Sequence, residues 1–430
     1  MTTPLRPSVL NSMSTPPVTP DSLSTAAKDT RPTGQSFSAL TPPTSPRQIQ
    51  SLSNLSNIAA AQETPSISKH DQRREPLQPI HTNVRDATMR AAKRSAPECP
   101  FDVEILKDQR GRDAMFGTGA WSIVYKGTAS TKSGNLSSAL TPPSSPIVTA
   151  PLLVAVKKPT RRDSTEVLKS EAKILSYLQA MPHNEEYVVP FYGTIDQATI
   201  VLAAIPYSLE DHIRKCAVSA SENFSTWTMH DPVVGSTAKW LRLAHQLISA
   251  LAWLHNVAEV VHGDIKPGNI LLANVKGSGT EVTFDPVLAD FSSAQLLNLE
   301  ETTPNTLSAV TREFTAPELL SSKVLRDPNS TATTASDVFS LAITLLVAAT
   351  GQMLVYGGSV LQRQAMATQG WMVLDHVRGG EQGARVPRMG TVDRALARAV
   401  LKADMGRISA LDWLDVVEDV VKGEQPRKNT

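Results

Sequence analysis

The first 100 of the 430 residues cannot build a core, and this confines any fold to the remainder. They hold 14 of the 30 prolines and 26 serines or threonines, with one aromatic residue, Phe37. So little apolar surface does not offset the entropy of ordering the chain. The composition predicts a disordered regulatory tail over 1–100. Its charge is +4 (11 basic, 7 acidic residues), against −3 for the rest (31 basic, 34 acidic). The basic stretch Lys69–Arg94 reads as a solvated linker rather than a nuclear-localisation patch. A net charge of +1 argues against nucleic acid as a partner. Two cysteines, Cys99 and Cys216, make no disulfide framework and fit a reducing compartment. The longest apolar run, near 340–350, is too short for a membrane span. No apolar stretch follows the first charges, so no secretory signal is expected. Together these predict a cytoplasmic or nuclear protein, or both, with no membrane partner.

From Phe101 the texture changes. Apolar alternation in Trp121–Gly127 and Leu152–Lys157 predicts strands. Three- and four-residue apolar steps predict helices over Glu166–Leu178 and Trp240–His255. Ser336–Thr350 is helical and apolar on every side, hence buried all round. Strands precede helices, which implies an α+β architecture in two parts. Ser130–Pro151 and roughly Ala217–Ser236 read as surface insertions.

Chemistry begins at Gly117-Thr-Gly-Ala-Trp-Ser-Ile-Val-Tyr-Lys-Gly127. Two glycines in a strand-turn-strand let backbone amides approach a polyphosphate, although a plain hairpin explains them as well. The next strand carries Val154-Ala-Val-Lys157, and a lysine on an apolar strand wants an anionic partner. Glu171, on the following helix, is the candidate; alternation puts Lys158 on the opposite face. The densest segment is Val261-His-Gly-Asp264-Ile-Lys266-Pro-Gly-Asn269-Ile-Leu-Leu272. A turn rich in Asp, Lys and Asn between apolar flanks is not core packing: Asp264 suits a hydroxyl proton, Lys266 a moving phosphoryl group, Asn269 a metal. Val287-Leu-Ala-Asp290-Phe-Ser292 ends a strand in a carboxylate, a natural Mg²⁺ ligand beside phosphates.

These motifs, in this order, resemble the eukaryotic serine/threonine protein kinase family. The resemblance extends over about 101–421. Its further marks are Thr311-Arg-Glu-Phe-Thr-Ala316-Pro317-Glu318, Ser336-Asp337-Val-Phe-Ser-Leu341, and Arg407 as the partner of Glu318. It implies a two-lobed kinase-like fold, with a small lobe of about 101–207 carrying the 130–151 insertion, a large lobe of about 208–421, and a tail over 422–430. It implies ATP and Mg²⁺ as cofactors and protein substrates as partners. The ATP-binding residues would be Phe116, Gly117, Thr118, Gly119, Val124, Ala155, Lys157 and Glu171, with Leu202 or Ala203 behind the adenine. Asn269 and Asp290 would be metal ligands, Asp264 and Lys266 catalytic. Lys266 and Thr311 resemble serine/threonine rather than tyrosine kinases.

Three positions depart from the family pattern. Gly263 stands where many kinases have an arginine that grips a loop phosphate. Ser292 replaces a glycine; in a left-handed backbone it would cost about 1 kcal/mol. Ser122 replaces the third glycine of the phosphate turn. Two alternatives remain: a catalytically weak pseudokinase scaffold, and a small-molecule phosphotransferase, which shares the His-Gly-Asp spelling. His255 and His262 read as packing residues, and Trp253 and Trp413 as core.

Nine Ser/Thr-Pro pairs occur, eight of them in the tail or the first insertion. Thr15/Thr19, Thr41/Ser45 and Thr141/Ser145 each place two proline-directed sites four residues apart. The string Ala-Leu-Thr-Pro-Pro-x-Ser-Pro recurs 100 residues apart, at Ala39 and Ala139. The pattern resembles a doubly phosphorylated degron, since two phosphates on an extended segment can engage an arginine-lined surface. The expected partners are a proline-directed kinase and an F-box ubiquitin-ligase adaptor.

Overall fold

The computed structural model describes residues 95–131, 151–277, 282–297, 311–327, 329–370 and 372–424, all in one compact unit. The small lobe is built on an antiparallel sheet. Its strands are β1 (Phe101–Ile105), β2 (Met115–Thr118), β3 (Ser122–Thr131), β4 (Leu152–Pro159), β5 (Phe191–Ile195) and β6 (Thr199–Ala203), in the order β1-β3-β4-β6-β5 with β2 on β3. Alternation divides β4 between two faces. Val154 and Val156 pack outward with Cys99, Ala129 and Val201, while Ala155 joins the main core. Lys157 falls on the Ala155 face; Lys158, on the other, lies over the Tyr125 ring. Helix α1 (Ser164–Gln179) covers the inner face through Leu168, Ala172, Leu175 and Leu178.

The described residues begin before the composition break. Cys99 is buried and donates its N–H to the Thr194 carbonyl, and Thr194 donates to that of Pro97. Residues 95–100 thus extend the β5 edge instead of ending the tail. The pairs Thr15/Thr19, Thr41/Ser45 and Thr141/Ser145 lie outside the described residues, as does most of the 130–151 insertion; its first two residues finish β3.

The large lobe is helical. The short α2 (Asn184–Tyr187) leads into β5; then follow α3 (Leu209–Glu222) and α4 (Thr237–Asn256). Two hairpin-like pairs come next, β7 (Val260–Val261) with β10 (Gln295–Leu296), and β8 (Ile270–Lys276) with β9 (Thr283–Leu288). The chain ends in α5 (Ser322–Arg326), α6 (Thr334–Thr350), α7 (Val360–Gln369), α8 (Val373–Arg378), α9 (Thr391–Leu396) and α10 (Ala410–Glu424). Among the described residues no helix is long and apolar enough to cross a membrane.

Helix α6 is the axis of this lobe. Every residue from Ser336 to Thr350 is buried. A capping box joins Thr333 and Ser336 at its start, and Gly351 closes it at φ 75°, a conformation glycine adopts freely. Three indoles anchor the core by their N–H groups: Trp240 to the Leu345 carbonyl, Trp253 to Pro182 and Trp413 to Ala395. Each is nearly or wholly buried, so each satisfies its polar edge while burying a large apolar one.

The expected insertion at 217–236 is corrected in part. Residues 217–222 finish α3, and Val233 and Val234 are buried. Their N–H groups donate to Ala349 and Ala348, at 2.8 and 3.4 Å. The last carbonyls of a helix lack partners within it, and this segment supplies them. Arg385, also buried, holds the same segment by donating to the carbonyls of Thr228 and Asp231.

Candidate active site

The site lies where β4, α1, the β7–β8 loop and the end of β9 meet. Lys157 Nζ donates to both Glu171 carboxylate oxygens at 2.7 Å and to Asp290 Oδ1 at 2.8 Å. Lys157 and Glu171 are almost wholly buried; the Asp290 side chain keeps 39% of its surface exposed. Burial alone would depress the ammonium, but the charges of Asp290 and Glu171 outweigh it and hold Lys157 above its usual range. Burial pushes the Glu171 carboxyl up to about 6; Lys157 opposes the shift and Asp290 adds to it. Around Asp290 the surrounding protein also disfavours charge. Lys157, a hydroxyl bond from Ser292 and the charge of Lys266 overcome this and hold its carboxyl well below the carboxylate range.

The β7–β8 loop forms a second cluster. Lys266 Nζ bridges Asp264 Oδ2 at 2.6 Å and Thr311 Oγ1 at 2.8 Å. Asn269 Nδ2 donates to the Asp264 carbonyl at 2.8 Å and to its Oδ2 at 3.1 Å. Asp264 thus accepts from two side chains that leave it fixed and partly open.

Beneath the loop, Asp337 of α6 is 1% exposed and accepts three bonds. They come from His262 N at 2.7 Å, Gly263 N at 2.9 Å and His255 Nε2 at 3.0 Å. His262 Nε2 donates to the Ala289 carbonyl, which leaves Nδ1 to accept from Asp264 N at 3.4 Å. The His262 ring also stacks on Phe291 at 4.8 Å, and Phe291 is fully buried. Both histidines therefore serve packing and hydrogen bonding.

Two departures have local explanations. Gly263 has φ +79°, and a Cβ there would stand 2.5 Å from the Ser293 carbonyl oxygen. An arginine has no place in this backbone. Ser292 lies in a short 3₁₀ turn, Phe291–Ser293, and the left-handed residue is Asp290, at φ 61°. The expected strain at Ser292 is absent.

Of the nucleotide-side residues, Ala155 pairs with Leu202 in register, and Lys157 lies between Val124 and Ile200. Phe116, Gly117 and Thr118 lie on β2, and Gly119 begins the turn into β3, held by Gly119 N to Ser122 O at 2.7 Å. A Cβ at Gly117 would meet nothing within 4 Å. The space beside Gly117 is therefore open to a close approach by phosphate oxygens. For a cation, the Asp290 carboxylate reaches the cleft, and Asn269, whose amide nitrogen is turned to Asp264, keeps its oxygen. One carboxylate and neutral oxygens beside phosphates suit Mg²⁺.

Sequence reasoning missed one brace. Arg161 lies over the Trp121 ring at 5.6 Å, and Thr160 N donates to the Trp121 carbonyl at 3.1 Å, tying the phosphate turn to the start of α1. The tryptophan in the glycine turn was the available signal.

The comparisons agree with this geometry. The family model for the protein kinase domain matches residues 149–414, well over half of the chain. The serine/threonine-protein kinase ISR1 of Saccharomyces cerevisiae is 31% identical over 253 residues, covering 54% of this chain and 49% of that protein. Its namesake in Eremothecium gossypii is 31% identical over 170 residues, covering 39% and 45%. A lectin-domain containing receptor kinase, VI.3, of Arabidopsis thaliana is 27% identical over 291 residues, covering 67% and 35%. The chain spans about half or less of the length of these relatives. With Arg407 and Glu318 also joined by two hydrogen bonds, at 2.7 and 3.0 Å, the chain belongs to the eukaryotic protein kinase family.

Proposed function

We propose that the chain transfers the terminal phosphoryl group of ATP to serine or threonine hydroxyls of protein substrates. The observation that carries this reading is the hydrogen-bonded triad of Lys157, Glu171 and Asp290, with Asp264, Lys266 and Asn269 locked together in the adjoining loop. Phosphoryl transfer asks a protein mainly for positioning and charge neutralisation, and these residues offer both. When bound, Mg-ATP supplies the activated phosphoryl group. Lys157 and the open glycine segment Gly117–Gly119 would hold its phosphates, and Asp290 and Asn269 its cation. Asp264 orients the acceptor hydroxyl and takes its proton. Lys266, shared with Thr311, keeps positive charge beside Asp264. That shared bond, and the names of the two fungal relatives, support serine or threonine as acceptor.

Control is assigned to turnover. Proline-directed phosphorylation of Thr15, Thr19, Thr41, Ser45, Thr141 and Ser145 would create paired phosphates for an F-box adaptor. The setting is the cytoplasm or nucleus. The catalytic reading is tested with the full chain, labelled ATP and mixed protein acceptors. Asp264→Asn is expected to lower transfer by about 10²–10⁴-fold while nucleotide binding persists. Undiminished transfer by the variant, or nucleotide binding without any transfer by the unaltered chain, overturns the reading.

A further inference from the structure

Among the described residues, two buried side-chain polar atoms lack a hydrogen-bond partner: the Tyr356 hydroxyl and Arg363 Nε. Both line one cavity, together with Arg312, Glu313, Val355 and Gln364. Buried donors are rarely left unmade, because each then keeps the full cost of losing water. Tyr356 is 7% exposed, and its ring packs on His376 at 5.1 Å. Burial pushes its hydroxyl up to about 12, so it stays a neutral donor. Arg363 uses Nη1 on the Gly358 carbonyl at 2.8 Å, which steers the guanidinium and leaves Nε free.

The position of this cavity matters as much as its contents. Arg312 directly follows Thr311, whose hydroxyl accepts from Lys266, which in turn donates to Asp264. An extended acceptor segment advances about 3.3–3.6 Å per residue. A peptide with its hydroxyl at Asp264 therefore reaches Arg312 within a few residues. The cavity has about 10 Å³ of room, enough for one oxygen-sized group. Two guanidiniums face it against one carboxylate, Glu313. A carboxylate or phosphate oxygen only accepts, and so serves both orphan donors; an ammonium, which only donates, could accept from neither and would face two arginines against the one Glu313 carboxylate.

We infer that this cavity is a specificity subsite for an acidic side chain of the protein substrate, one anionic oxygen seated between the Tyr356 hydroxyl and Arg363 Nε–H. The inference rests on the protein-phosphorylating function proposed above. An acidic residue and a residue already phosphorylated share the required chemistry, and the experiment separates them.

The full chain is given peptide libraries in which each position around a serine or threonine acceptor is set to Asp, Glu, phosphoserine, Ala or Lys. An acidic residue at one position is expected to raise kcat/KM about tenfold over Ala, the size of a hydrogen bond to a charged group. Preference for Asp or Glu identifies a carboxylate as the ligand; preference for phosphoserine identifies a prior phosphorylation. Tyr356→Phe, which keeps the ring packing, and Arg363→Lys, which keeps the charge but loses Nε–H, should each bring the acidic-to-Ala ratio toward one. Equal use of acidic and Ala peptides, or an undiminished ratio in both variants, overturns the subsite and leaves the kinase function standing. If the libraries are not phosphorylated at all, the proposed function is what fails. Binding of labelled Asp, phosphoserine and Ala peptides, read by anisotropy, then decides the subsite separately, and equal binding rejects it.

Discussion

Lys157 is held by two carboxylates whose affinities for a proton are shifted in opposite directions. Glu171 has a folded value of about 6, above its ordinary 4.5. Its charge is therefore lost as pH falls through about 6, and by itself it destabilises the fold as pH rises from 4.5 toward 6. Asp290 is lowered, so its contribution is present above its ordinary 3.8 and disappears only on stronger acidification. The grip on Lys157 should weaken first on the Glu171 side. The expected result is a fall in kcat/KM for ATP as pH drops through about 6, and Glu171→Gln should abolish that limb of the profile. A profile of the same shape in the variant would assign the limb to another group. Lys157, Glu171, Asp264, Asn269 and Asp290 were legible because their chemistry sits in short strings with fixed order. Tyr356 and Arg363 were not: they meet Arg312 from more than 40 residues away, and no spacing within the chain marks that encounter.

At the scale of elements, α6 carries the catalytic loop. A buried carboxylate is tolerated only when its hydrogen bonds are complete, and Asp337 completes them with the very backbone that presents Asp264. Asp337→Ala would leave the N–H groups of His262 and Gly263 without an acceptor, at about 1–3 kcal/mol each. The expected outcome is a loss of roughly 2–6 kcal/mol by denaturant unfolding, with partial recovery in Asp337→Asn, which keeps one acceptor. An unaltered midpoint in the alanine variant would mean that the loop holds itself. Arg407 is the comparable pin on the far side: its side chain is fully buried, it grips Glu318, and it donates also to Leu401, Lys402 and Ala335. Both helix α6 and its burial could be read from the almost wholly apolar stretch Ser336–Thr350. The fate of 217–236 could not, because a polar composition says nothing about whether its N–H groups will meet the open carbonyls of α6.

For the whole molecule, catalytic parts and proposed control elements occupy different stretches of chain. The sites proposed for turnover belong to 1–100 and to the 130–151 insertion, while the proposed catalytic residues lie in β2–β4, α1 and the β7–β9 region. Substituting both Thr41 and Thr141 with Ala should lengthen the protein's half-life in cycling cells, and leave the specific activity of the purified protein at its starting value. Equal decay of the two forms after synthesis is blocked would refute the degron. A folded body beginning near residue 101 was legible from composition. Its first residues were not, because Pro97 and Cys99 join the sheet edge through backbone bonds that any sequence can make.

The β3–β4 junction has a practical use. Ala129 and Leu152 face each other in register, and the pairing runs unbroken from there to Lys157 opposite Val124. The chain leaves and re-enters the sheet at adjacent points, already separated by a long connection. Loop-closure entropy grows only with the logarithm of length, about 0.6 kcal/mol per doubling. A fluorescent module grafted between Thr131 and Pro151 would thus ride on the strand that bears Lys157, and its emission would report the movements of that strand in a living cell.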